Sequence, residues 1–106
     1  MKYNKLVRDK IPEIIVTEGD KPVTQVLDAE LYRQELRKKL QEEVAEFSVS
    51  RKVEELVDIL EVVYALAAEE KISQYQLEEM RKQKRSERGG FDQRVFLVEI
   101  VPQGGS

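Results

Sequence analysis

The sequence of 106 residues contains neither cysteine nor histidine, and these two absences remove whole classes of chemistry. Without cysteine there are no disulfides and no thiolate nucleophile, and without histidine there is no imidazole acid/base catalyst and no zinc site of the usual ligand types. Any reaction must run on carboxylates, lysine, arginine, tyrosine, serine and bound ions. Long hydrophobic runs are missing too. No apolar stretch approaches the roughly 20 residues that span a bilayer, and the basic stretch MKYNKLVRDK has no apolar signal core behind it. These features predict a cytoplasmic protein without a membrane partner. A basic excess is also lacking: 21 acidic residues outnumber 18 basic ones, for a net charge of −3, which argues against bulk attraction to nucleic acid.

What is present is a salt-laced helical composition, 37% charged and 41% hydrophobic, in a chain long enough for one core. The expectation is a single domain over residues 1–106, all-α, an antiparallel helical bundle built on a long helical hairpin. Pro12 suits the first turn of a short helix from Lys10 to Glu18, stopped by Gly19. Asp28 is placed to cap a long helix that reaches about Phe47, and Ser48, Val49 and Ser50 are expected to break it. Ser50 is the expected cap of a second long helix, Arg51 to about Lys71, folded back on the first. A third helical stretch runs from Ser73 to about Arg85, anchored by Leu77 and Met80, and ends before Gly89-Gly90. Residues 21–28 read as a short strand or an extended connector, and the β-branched, aromatic run 94–101 as a strand that could pair with it. There is no internal repeat, and only the terminal QGGS has the composition of a disordered tail.

The chemistry concentrates in four carboxylates, Glu43, Glu46, Glu55 and Asp58, spaced ExxE and ExxD. In a hairpin turning near residues 50 and 51, Glu43 lies level with Asp58 and Glu46 with Glu55, so the four acids face each other. Two carboxylates about 4 Å apart repel by roughly 1 kcal/mol even at the dielectric of water, and by more when desolvated. At about 100° per residue, Leu36, Leu40, Val44 and Phe47 form the apolar stripe of the first long helix. Glu43 falls in or beside that stripe and Glu46 at its edge. On the second long helix Glu55 borders a wide apolar arc from Val53 to Leu66, and Asp58 lies on the narrower polar side. Such acids persist near a core only when paired, protonated or bound to metal. A salt-bridge network with Lys39, Arg51 and Lys52 is one solution. A hard cation, Mg²⁺ or Mn²⁺, is the other, because an all-oxygen ligand set selects it.

In these residues the chain resembles the all-α nucleoside triphosphate pyrophosphohydrolases, the MazG-like superfamily that also contains phosphoribosyl-ATP pyrophosphohydrolase. The likeness lies in EEVAE at 42–46 and EELVD at 54–58, with KLVRDKIPEII and ERGGFDQRVFL similar to a small branch of that superfamily. Eight residues separate Glu46 from Glu55, fewer than is usual there. The resemblance implies that Glu43, Glu46, Glu55 and Asp58 ligate Mg²⁺, with Glu61 behind them, and that Glu43 or Glu46 serves as general base. It implies cleavage between the α and β phosphates to give a monophosphate and pyrophosphate, as in house-cleaning of nucleotide pools. It also implies a homodimer or higher homo-oligomer. Phosphates need cationic partners as well. The candidates are Lys5, Arg8 and Lys10 near one end, Lys84, Arg85 and Arg88 near the other, and Lys39 between them. Gly89-Gly90 can either admit an anion to backbone amides or simply end a helix, and Tyr64 and Phe91 are candidates for stacking on a base or for the core. Two other readings stay open: phosphoribosyl-ATP as the substrate, and a non-catalytic helical dimerisation module.

Overall fold

The computed structural model describes residues 2–104. Gly105 and Ser106 of the expected disordered tail lie outside the described residues. The fold is all-α: α1 (Ile11–Thr17), α2 (Ala29–Ser50), α3 (Val53–Glu69) and α4 (Gln74–Arg88). None of these helices is long and apolar enough to cross a membrane. The chain divides into two compact units, one up to Gln74 and one from Tyr75.

The first unit is organised by the hairpin of α2 and α3. Asp28 caps α2 as its sequence position predicts, its Oδ1 accepting from the Leu31 amide at 2.9 Å. The serines do not break the helix. Ser48 Oγ donates to the Val44 carbonyl at 3.0 Å, which satisfies the hydroxyl inside the helix, and α2 continues to Ser50. The break comes at Arg51, in the left-handed region at φ +59°, with Lys52 extended behind it. Ser50 Oγ accepts from the Lys52 amide at 3.2 Å and does not cap α3, whose N-cap position is Lys52. This two-residue connection forces α3 back along α2. At the open end of the hairpin Arg33 Nη1 lies 3.5 Å from Glu69 Oε1.

Among the described residues the buried apolar ones are Leu36 and Val62, at 3% and 8% exposure. Around them Tyr32, Leu40, Phe47, Ile59, Val63 and Leu66 are half-buried. Burial of Tyr32, reinforced by Glu69 and Asp9, raises its phenol above its ordinary pKa. Much of the α3 arc stays in solvent, including Val53, Leu56, Val57 and Leu60. α1 ends as expected at Gly19, φ +93°. The Gly19 amide donates to Val16 and the Asp20 amide to Ile15, the paired bonds of a Schellman stop. An arm without regular secondary structure, residues 2–8, precedes α1.

In the second unit α4 runs three residues past the expected Arg85, and Gly89, φ +83°, closes it with its amide on the Arg85 carbonyl at 2.7 Å. The helix-ending role of Gly89 is therefore the observed one. The expected strand pair does not form. Among the described residues there is no strand; residues 21–28 are a connector and residues 94–101 have no regular secondary structure. β-Branched and aromatic residues favour a pleated surface only when a neighbouring strand supplies the ladder, and here Val26 and Phe96 are 100% and 87% exposed. Phe91 is also in solvent rather than in a core.

Candidate metal centre

The hairpin register brings the acids together. Glu43, Glu55 and Asp58 each offer a carboxylate oxygen within 4.8 Å of the others, and Glu42, Glu43 and Glu46 do the same. Glu43 belongs to both groups, so it is the point at which the α2 and α3 acids meet. Helical spacing accounts for this: residues 43 and 46 share a face of α2, residues 55 and 58 share a face of α3, and the tight connection sets those faces opposite. Glu61, one step further along α3, is exposed.

Glu43 is 6% exposed. Its Oε1 is 3.4 Å from Lys39 Nζ, and its Oε2 is buried without a hydrogen-bond partner. Burial raises its pKa above the ordinary carboxylate value, Glu46 beside it pushes the same way, and Lys39 opposes them. Glu46 is exposed and lines a shallow open concavity with Ala45, Val49, Ser50 and Glu55. Glu55 and Asp58 are half-buried.

Glu42 joins the cluster although helix geometry alone turns it away from Glu43. Its long side chain is drawn in by two cations, Lys5 Nζ at 3.2 Å and Lys39 Nζ at 3.6 Å. Burial pushes the Glu42 carboxyl up, but Lys5 and Lys39 outweigh it and hold the group below its ordinary value. The remaining cation at the cluster is Arg8, whose Nη2 lies 2.6 Å from Asp58 Oδ1. Five carboxylates thus face three cations, so ion pairing alone does not neutralise the acids.

Of the expected phosphate-binding residues, Lys5, Arg8 and Lys39 lie at the acids. Lys10 is exposed at the N-cap position of α1. Lys84, Arg85 and Arg88 belong to the second unit, where Lys84 and Arg88 are exposed and Arg85 Nη2 pairs with Asp92 Oδ2 at 3.1 Å. Arg51 and Lys52, expected to join a salt-bridge network, form the exposed hairpin connection instead. Tyr64 is half-buried on α3. Comparison with family models, curated proteins and solved structures gives no match.

Proposed function

We propose that this chain is a divalent-cation-dependent nucleoside triphosphate pyrophosphohydrolase, with Mg²⁺ or Mn²⁺ held by Glu43, Glu55 and Asp58 and with Glu46 beside them as the general base. The observation that carries the proposal is the buried, unpartnered Oε2 of Glu43, where the two acid groups meet. A structural salt-bridge network, as in a plain dimerisation module, would be expected to satisfy that oxygen, since an unmade hydrogen bond at a buried polar atom costs about 1–3 kcal/mol. An all-oxygen donor set of this kind suits a hard cation. The resemblance of EEVAE and EELVD to the MazG-like pattern points the same way.

When bound, the cation neutralises phosphate oxygens and lowers the pKa of water, roles that require no histidine or covalent nucleophile. The chain's own groups do the rest. Glu46, exposed beside Glu43 at the open concavity, accepts the proton of the attacking water, while buried Glu43 remains a ligand. The water oxygen bonds to the α phosphorus, the bond from that phosphorus to the bridging oxygen breaks, and pyrophosphate leaves with the bridging oxygen. Lys5, Arg8 and Lys39 supply positive charge for the phosphates. The exposed apolar face of α3 is read as the contact of a homodimer, and a house-cleaning role in the cytoplasm fits this chemistry.

The test is an assay of nucleoside triphosphates with and without Mg²⁺ that separates monophosphate plus pyrophosphate from diphosphate plus phosphate. Mg²⁺-dependent pyrophosphate release, abolished by Glu43→Gln, is expected. Inactivity on every triphosphate, or a Glu43→Gln variant that matches the parent, rejects the proposal.

A further inference from the structure

The two cations that the arm contributes divide themselves between the two acid groups. Arg8 pairs with Asp58, a member of the Glu43, Glu55, Asp58 group, and Lys5 pairs with Glu42, a member of the Glu42, Glu43, Glu46 group. Both pairs stand partly in solvent, with Arg8 and Asp58 side chains 51% and 40% exposed, and exposed pairs are worth only about 0–1 kcal/mol. The arm that carries them has no regular secondary structure. It lies against α2 along a crevice lined by Asn4, Lys5, Leu6, Glu35, Lys39 and Glu42. Lys39 differs, because it pairs with Glu42 and Glu43 from within the same helix and stays with the acids whatever the arm does. Together Lys5 and Arg8 carry two positive charges, the charge of one divalent cation, so exchanging one for the other leaves the charge at the acids unchanged.

We infer that Lys5 and Arg8 are exchangeable counter-ions of the acid cluster: they hold its carboxylates in the cation-free protein, give them up when a divalent cation binds, and then serve as anion-binding groups for the substrate phosphates. This rests on the cation-binding reading above and adds an order to it, cation first and phosphate second. Arg8 holds the carboxylate of Asp58, a member of the group that would ligate the cation, so the guanidinium is a competitor for the metal before it is a partner for phosphate. Removing a competitor tightens the metal; removing a merely structural tie does not.

The experiment is a calorimetric Mn²⁺ titration of the parent, Arg8→Ala and, as a control for loss of one charge on the same arm, Lys2→Ala, with trypsin cleavage after Lys5 and Arg8 of the parent followed by mass spectrometry with and without Mn²⁺. Arg8→Ala is expected to bind Mn²⁺ about three- to tenfold more tightly than the parent, the scale of one charge pair in a high-dielectric setting. Lys2→Ala should stay within about twofold, and Mn²⁺ should accelerate cleavage of the arm. Equal or weaker Mn²⁺ binding by Arg8→Ala, an equal gain in Lys2→Ala, or protection of the arm by Mn²⁺ overturns the exchange while leaving the metal site intact. A parent that binds no Mn²⁺ overturns both.

Discussion

Glu43 carries a charge that folding makes costly, and the cost can be measured without any knowledge of substrate. Its folded pKa is raised, so the native state binds more protons than the unfolded chain between the two pKa values, and stability falls as pH rises through that window. Glu43→Gln removes the charge and keeps the shape. At pH values above the raised pKa, where the parent carboxylate is ionised, the variant should be more stable by about 1 kcal/mol, or roughly 4–8 °C in Tm for a chain of this size. The gain should fade as pH drops below the raised pKa and the parent's own carboxyl becomes neutral. Calorimetric scans from acid to neutral pH check both the size and the slope; a variant less stable than the parent at every pH would mean that Lys39 fully compensates Glu43. Leu36, at 3% exposure, gives the opposite case at this scale. Leu36→Ala should cost about 2–5 kcal/mol, read by urea denaturation, because the hairpin has little other buried apolar volume to lean on.

The hairpin connection decides whether the acids meet. Arg51 adopts the left-handed region at a cost of about 1–2 kcal/mol for an L-residue with a Cβ, whereas glycine gives up about 0.5–1 kcal/mol in chain entropy. Arg51→Gly should therefore stabilise the unit by about 0.5–1 kcal/mol and Arg51→Ala should not. Equal denaturation midpoints for the two variants would show that the left-handed turn is not what sets the hairpin. At the other end of α2, Asp28→Ala should cost about 1 kcal/mol through loss of its bond to the Leu31 amide. Much of this was readable in the sequence, because Asp28, the wide apolar arc of α3 and the matched spacing of ExxE and ExxD all follow from helical periodicity. What was not readable depended on partners. Ser48 resembles a breaker until its hydroxyl finds the Val44 carbonyl, and residues 94–101 resemble a strand although no ladder forms. Glu42 points away on a helical wheel, but Lys5 and Lys39 draw it in. Arg8 meets Asp58 from 50 residues away, a pairing that no local pattern encodes.

Across the whole molecule, exposed apolar surface and accumulated acid both look for something outside the single chain. Val53, Leu56, Val57 and Leu60 project from α3 into solvent, Val57 at 57% exposure, which is the surface that a second copy would cover. Sedimentation velocity at micromolar concentration should find a dimer, and Val57→Asp should return it to a monomer; a parent that remains monomeric throughout would leave that face without a partner of its own kind. The proposed function requires the acid cluster to hold a cation, and the most direct measurement is electron paramagnetic resonance of Mn²⁺ titrated into the parent and into Glu43→Gln, both verified as folded. The parent should deplete the free Mn²⁺ signal saturably and Glu43→Gln should leave it nearly unchanged. A parent that leaves the signal untouched, or a Glu43→Gln variant that binds as the parent does, would contradict a cation site built around Glu43.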